Sequence, residues 1–549
     1  MKKTPLTKKS IHLTERQFTL ASLSFFFFLT WLWAAWWMGD LFCIGREHSF
    51  FSTDAVLMYG LWQQRFGSLW ILGRAVLTLY RWPLLGGLLT AVLLTLGSWL
   101  CGYCLRLRFR WRWLQFLPAA AWLIWVAWLG LNFYYQSEPG RPFGVLLLFD
   151  VVCAIDAFII WTFKGHRKKR LVSREAAPLP SSVKRPDGSS ASTKGDTAPV
   201  AFASKGTIFT TLLYFVVCFA IPVLITQVRH PYVRPLSRMQ VQMLSSDWNG
   251  MVTTARSHAT LSYRPLAAFY AIALVHTGHL TDALFDIRLD YDSLYVVNRS
   301  GTGDSGSGLY EIDGNYAAGL FRATTHKAME HLTMQGPTLY SLKYLARTAL
   351  LDYDWQLARK YLTIISRMPF EGDFVRRYQP MVGHADLVEA DAEFALLRRT
   401  EPVEDSFESA YQAPVFLGYP AVLTSGRSMD ALQQSLMANL YSKRMPDLLF
   451  RAQMLAGTMP PKTIAEGLVT QLLKNPSIGQ AFPSLQMNAQ VFQGFLRSVT
   501  PYMKDRPAYA RKLFDQYAGY YPYYYYFGNL KATRKSDDKE HASSRAGVN

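Results

Sequence analysis

Two carboxylates sit where carboxylates are costly. Asp150 and Asp156 fall inside the apolar stretch Phe143 to Phe163, and an ionisable side chain at membrane depth is expensive and often functional. Six residues of helix separate the two by about 9 Å and rotate one from the other by roughly 120°, so they cannot work as an acid–base pair on one face. Each is left with a proton or substrate role of its own, with polar contacts between helices, or with an outer water-filled dip. "HKAMEH" offers His326, Glu330 and His331, and "HTGH" offers His276 and His279. A zinc-hydrolase helix needs its two histidines one turn apart on a common face. His326 and His331 are five residues apart and diverge, while "HTGH" places its glycine at an inter-helix turn. "CGYC", Cys101 to Cys104, has redox-motif spacing in apolar surroundings, where thiols pack and stay inert. "GTGDSGSG" has no following Lys-Ser or Lys-Thr and reads as a loop rather than a phosphate cradle. No catalytic, cofactor-binding or metal-ligating residue is therefore assigned, and no cofactor is expected.

The elements around these residues are set by composition. Half of the 549 residues are hydrophobic and 15% are aromatic, so a membrane class is tested first. Five apolar runs are long enough for the roughly 30 Å hydrocarbon core: Phe18 to Met38, Pro83 to Leu105, Leu114 to Tyr134, Phe143 to Phe163 and Thr207 to Val228. The first is too long and too aromatic for a secretory signal and reads as an uncleaved anchor. Lysine and arginine are retained on the cytoplasmic side of short loops. The N-terminus carries +4, "RLRFRWRW" +4 and residues 164 to 206 +7, whereas residues 39 to 82 sum to +1 and Tyr135 to Pro142 to zero. The N-terminus is thus expected inside and everything after the fifth run outside. The formal charge of +19 is absorbed by this asymmetry, which argues against nucleic-acid binding.

The remaining boundaries follow the same logic. Residues 1–17 form a basic cytoplasmic N-terminus, 18–163 hold four spans, 164–206 are a basic, disordered linker, 207–228 the fifth span, 229–530 an outer domain and 531–549 a disordered tail. Residues 55–81 are aromatic and amphipathic, and crossing the bilayer would set Arg74 in lipid, so an interfacial or re-entrant helix is expected there. All five cysteines precede residue 219, so the outer domain must rest on its own core without disulfides, as is common in a bacterial envelope.

From Arg229 on, the pattern is helical. In "LKYLARTALLDYDWQLARKYLTIISRMP", Leu342, Leu345, Ala346 and Ala349 share one face of a first helix. Ala358, Leu362 and Ile365 share one face of a second, which Pro369 ends. This pair resembles a tetratricopeptide repeat, the two-helix unit with a period of about 34 residues. Degenerate matches recur at Ala267 to Ile287, with Trp248 standing as Trp355 does in the later unit. Others lie at Leu432 to Pro460 and at Ala510 to Pro522. The resemblance implies a C-terminal array of helix pairs whose grooves bind proteins, so that with the five membrane helices an all-α chain is expected. The chain as a whole also resembles bacterial multi-pass membrane proteins with a helical outer domain. The expected partners are the lipid bilayer and an envelope protein, with a homo-oligomer left open. The expected role is an envelope interaction or assembly scaffold in the inner membrane; the alternative is a membrane enzyme or transporter handling a lipid-linked or glycan substrate. "AGYYPYYYYFG", residues 518–528, is expected to cap the last hydrophobic face of the array.

Overall fold

The computed structural model describes residues 14–107, 109–175, 205–258, 260–290, 307–401 and 428–530. Most of the basic N-terminus, most of the basic linker, the glycine-rich loop and the polar tail expected from composition lie outside these residues. The chain divides into two compact units. One comprises Met1–Arg46 with Met58–Pro231, and the other comprises Glu47–Leu57 with Tyr232–Asn549.

In the first unit, apart from Glu47 and Ala55–Leu57, which belong to the second, helices α1 (Glu15–Leu32), α2 (Gly39–Glu47), α3 (Ala55–Trp62), α4 (Gly67–Thr78), α5 (Pro83–Cys104), α6 (Leu117–Leu129), α7 (Arg141–Glu175) and α8 (Lys205–Val228) follow one another. Among the described residues, five helical stretches are long and apolar enough to cross a bilayer: Arg16–Trp37, Pro83–Cys104, Trp111–Phe133, Arg141–Phe163 and Gly206–Val228. They coincide with the five apolar runs to within a few residues. Without a hydrophobic drive between helices in lipid, close packing depends on small residues. Gly87 sits so near Ala35 that a Cβ there would lie 2.7 Å from the alanine Cβ. Phe42, Tyr80, Phe133 and Phe143 meet edge to face or tilted, with ring centroids 4.8 to 6.4 Å apart.

The region 55–81 contains two short helices where one was expected. Phe66, at φ 61°, breaks the chain between α3 and α4. Eight and twelve residues rise only about 12 and 18 Å, too little to span. Val56, Tyr59 and Trp62 on α3 are exposed, as suits a helix lying in an interface. Arg74 is buried and forms a two-pronged ion pair with Glu138, at 2.7 Å from Nε and 2.5 Å from Nη2. Gly73 lets α4 approach the start of α7 so closely that a Cβ would lie 2.1 Å from the Gly140 carbonyl oxygen.

The second unit is helical apart from one parallel pair of two-residue strands, β1 (Thr260–Leu261) and β2 (Arg288–Leu289), among the described residues. Its helices are α9 (Val233–Leu244), α10 (Trp248–Arg256), α11 (Arg264–Thr277), α12 (Leu280–Ala283), α13 (Glu311–Ala317), α14 (Phe321–Gln335), α15 (Leu339–Leu351), α16 (Trp355–Ser366), α17 (Gly372–Tyr378), α18 (Ala385–Ala390) and α19 (Ala392–Thr400). Then come α20 (Met429–Ser442), α21 (Met445–Ala452), α22 (Lys462–Val469), α23 (Ser477–Ala481), α24 (Gln486–Val499), α25 (Arg506–Tyr517) and α26 (Tyr521–Phe527).

Among the described residues, one turn recurs five times. A helix ends, one residue enters the left-handed region, and the next is the N-cap of the following helix. The left-handed residues are Ser246 (φ 56°), Gly278 (73°), Gly319 (78°), Tyr353 (57°) and Lys443 (58°). In each case the N–H of the N-cap residue donates to the carbonyl five residues back. The bonds are Asp247 to Gln242, His279 to Leu274, Leu320 to Asn315, Asp354 to Ala349 and Arg444 to Asn439, all 2.8 to 2.9 Å. This six-to-one closure satisfies helix-end carbonyls and reverses the chain. Asp247 and Asp354 also cap with their side chains, accepting from Gly250 N–H at 2.9 Å and Leu357 N–H at 3.1 Å. Trp248 and Trp355 each open the second helix of such a hairpin. α9, α10 and α11 pack in succession, as do α13, α14, α15 and α16.

The C-terminal tract closes this unit differently from the expected cap. Pro522 lies in the first turn of α26, where its missing N–H has no partner to lose. α26 packs on α22, and both α20 and α22 reach α12. Gly519 and Asn529 donate their N–H groups to Phe285 and Leu289, both at 3.2 Å. The tract thus returns to an early part of the unit, while its buried tyrosine hydroxyls, which need acceptors, find them on backbone carbonyls of neighbouring helices. Tyr521 donates to the Leu440 carbonyl at 3.0 Å, Tyr524 to Tyr441 at 2.7 Å and Tyr523 to Ala510 at 2.6 Å.

Candidate functional site

Leu342, Leu345, Ala346 and Ala349 are buried on α15, as their spacing requires. A second stripe on the same helix carries Tyr340, Lys343, Tyr344 and Arg347, positions three and four apart and therefore neighbours on one face. Three polar clusters are built on it. Lys343 Nζ lies 2.8 Å from Glu47 and 2.9 Å from Glu371, and all three side chains are nearly inaccessible. Asp313, 2% exposed, accepts a hydrogen bond from the Tyr340 hydroxyl at 2.9 Å and another from the Tyr344 hydroxyl. Arg347 donates through Nε to the Tyr378 hydroxyl at 3.2 Å and lies 3.9 Å from Glu393. Its guanidinium is also 5.4 to 5.9 Å from the ring centres of Tyr316, Tyr344, Phe374 and Tyr378. Glu393 is saturated, accepting from Tyr316 and Tyr378 at 3.0 Å and from Arg377 at 2.9 Å.

The first cluster draws in chain from the far end of the sequence. Segment 47–57 lies against α15 and α16 as part of this unit. His48 stacks on Tyr340 with ring centroids 4.5 Å apart, and Ser49 carbonyl accepts from Leu339 N–H at 3.0 Å. The Arg367 carbonyl accepts from Ser52 Oγ at 3.0 Å and Thr53 N–H at 3.2 Å, and the Arg367 side chain pairs with Asp54.

Burial dominates the electrostatics. It pushes His48 down to about 3, helped by His331 and opposed by Glu47. It pushes Asp313 up to about 7 against the two tyrosine hydrogen bonds. Burial would also raise Glu393, but Arg347 and Arg377 outweigh it and hold that carboxylate low. Asp313 should therefore leave a pH signature. An acid that holds its proton more tightly folded than unfolded makes the fold less stable as pH rises between the two values. Wild type should lose stability relative to Asp313→Asn by up to about 4 kcal/mol between pH 4 and 8. Paired urea melts at each pH read this difference, and a flat difference would exclude the assignment. Comparing the two proteins also cancels the opposite trend from His48.

The histidine motifs come apart. His326 and Glu330 are exposed on α14, with Glu330 3.0 Å from Lys327, while His331 turns inward and its Nδ1 lies 2.8 Å from Ser341 Oγ. In "HTGH", Gly278 makes the turn, His279 caps α12, and His276 stacks on Trp248 with centroids 3.7 Å apart. No group of three His, Cys, Asp or Glu side chains among the described residues could hold a metal ion. Asp150 is buried in α7 and Asp156 is exposed on it, on different faces as their spacing requires. Cys104 Sγ points at the Cys153 carbonyl, 3.3 Å away.

The geometry defines a multi-pass α-helical membrane protein with a second, helical unit held together by a buried ionic and tyrosine network. Every charged group of that network faces an opposite charge or a hydroxyl, so its chemistry is adhesive, joining distant segments. Residues 197–528 match DUF6057, a family of unknown function, and the chain belongs to it. No curated protein and no solved structure matches the chain.

The stripe on α15 escaped the sequence reading, which followed only the leucine and alanine face. Its signal was present in "YSLKYLAR", where two tyrosines and two cations recur at helical spacing. The partners Glu47 and Glu371 had no comparable signal.

Proposed function

We propose that this protein is a bacterial inner-membrane scaffold whose outer, tetratricopeptide-like domain binds or assembles envelope proteins. The observation that carries this reading is the fivefold helix hairpin with one turn geometry. Its first four left-handed residues follow one another at 32, 41 and 34 residues, around the period of about 34 typical of that repeat. Stacked helix pairs of this kind create grooves for peptides and partner helices. The test uses the full chain, because segment 47–57 belongs to the domain and a fragment beginning near residue 230 would lack it. Photo-crosslinkers at Leu357 and Phe450, both exposed, should capture one and the same envelope protein in intact cells. Capture of nothing, or only of unrelated proteins at the two positions, would count against the scaffold.

The topology has independent support. Segments 47–57 and 232–530 fold as one unit, and a folded unit occupies one side of a membrane. An even number of crossings must then separate them, as the four spans from α5 to α8 supply. A further crossing by α3 and α4 would make the number odd. The charge asymmetry of the loops selects the outer side. Cysteines introduced as Val56→Cys and Met459→Cys, both highly exposed positions, should both react with an impermeant maleimide added to spheroplasts. Reaction at one alone would overturn the arrangement.

A further inference from the structure

Between α5, α6 and α7 lies a cavity of about 410 Å³ walled by Gly97, Ala119, Trp122, Leu146 and Phe149. Trp125 and Val145 also line it and are 36% and 39% exposed, so it opens toward the lipid-facing surface. Behind the Gly97 wall stands Asp150. A Cβ on Gly97 would lie 2.2 Å from Asp150 Oδ1, so only glycine leaves room for this carboxyl. Asp150 is 6% exposed, and neither oxygen has a hydrogen-bond partner among the described residues.

Its depth matters. Nine residues of helix from Arg141 place Asp150 about 13 Å along the span, near the middle of a hydrocarbon core of about 30 Å. The titratable neighbourhood offers no cation: Cys153 on α7 itself faces Asp150, and the further groups around that thiol are Cys101 and Cys104 on α5 and Asp156 on α7. At the outer end of α7, Arg74 of α4 is held by Glu138, and α6 brings no titratable side chain to the cavity wall. An unpaired carboxylate here would keep its charge in hydrocarbon at a penalty of several kcal/mol, whereas the neutral acid avoids it. The geometry points to Asp150 as a proton-binding site of the membrane unit, reached through the cavity, which takes up and returns a proton instead of pairing with a cation. This function is separate from the scaffold and does not rest on it.

Dicyclohexylcarbodiimide is the probe, since it enters apolar sites and modifies protonated carboxyls. The acid proton moves to a carbodiimide nitrogen, the carboxyl oxygen bonds to the central carbon, and acyl migration gives a stable N-acylurea with nothing lost. In native membrane vesicles carrying the full chain, peptide mass spectrometry should find Asp150 modified at neutral pH and Glu138 and Asp54 unmodified. The yield should fall by about tenfold per pH unit through the deprotonation. Asp150→Asn, isosteric with the neutral acid, should abolish the modification at normal protein level, and Leu146→Trp, which fills the cavity, should remove most of it. An unmodified Asp150 in the wild-type protein, or a yield equal at pH 6 and pH 9, would overturn the proposal.

Discussion

Lys343→Met is expected to destabilise the full-length protein by about 3–5 kcal/mol, the range for removing one partner of a buried ion pair. Methionine keeps most of the aliphatic stem, so the loss reports the ammonium and not a cavity. Two carboxylates, Glu47 at 2.8 Å and Glu371 at 2.9 Å, would then share a buried pocket without the charge between them. The double variant Lys343→Met with Glu47→Gln should recover part of the loss, because it removes one of the two negative charges. Urea or thermal unfolding of the detergent-solubilised protein measures both. A single variant within about 0.5 kcal/mol of wild type, the scatter of ordinary surface changes, would mean that Lys343 does not hold segment 47–57. The same experiment has a topological reading. Weakening this cluster should increase protease cleavage within 47–57 before any cleavage in the spans.

The spans were legible in the sequence because the bilayer imposes a length and a polarity on every helix that crosses it. Pairs of helices were legible through Leu342, Leu345, Ala346, Ala349 and their counterparts Ala358, Leu362 and Ile365, whose burial follows their spacing. The turn between such helices was read at Gly278, and glycine marks it in the same way at Gly319. Ser246, Tyr353 and Lys443 adopt the left-handed conformation without glycine's freedom, so composition gives no warning of them. The union of Glu47–Leu57 with the C-terminal unit was not legible, because a salt bridge joining residues about 300 positions apart leaves no local pattern. The tyrosine tract was half legible. Its burial followed from its aromatic content, but its destination depended on which backbone carbonyls of the packed helices came within reach of its hydroxyls, a property of the assembled fold.

Within the candidate site the division is sharper. The sequence placed Asp150 in a span and set Asp156 on another face, and both hold. It could not show that Gly97 on a different helix makes room for the Asp150 carboxyl. Nor could it show that Asp313, unremarkable in "YEIDGNY", accepts from two tyrosines of α15. Side chains that meet across helices are identified by packing, and in this chain packing brings together the residues that carry charge.

Arg347→Ala should cost about 3–5 kcal/mol, as expected when a mostly buried charge loses its partner. The guanidinium donates to Tyr378 and lies 3.9 Å from Glu393, so its loss leaves Glu393 with Arg377, which is 44% exposed and therefore better screened. Glu393 would then lose much of the field that holds its carboxylate low. A carboxylate held low stabilises the fold above its unfolded value and loses that contribution as pH falls. The variant should therefore show a weaker loss of stability on acidification below pH 5 than wild type. Arg347→Lys separates charge from shape. It keeps the cation but not the planar group that lies among Tyr316, Tyr344, Phe374 and Tyr378, and lysine does not replace arginine at a stacked site. An intermediate loss of about 1–2 kcal/mol is expected, since aromatic contacts of a desolvated cation contribute on that scale. Combining Arg347→Ala with Glu393→Gln closes a double-mutant cycle. A coupling above about 1 kcal/mol is the expected result for groups in one network. Additive losses would assign the arginine to packing alone and leave Glu393 to Arg377 and the tyrosine hydroxyls.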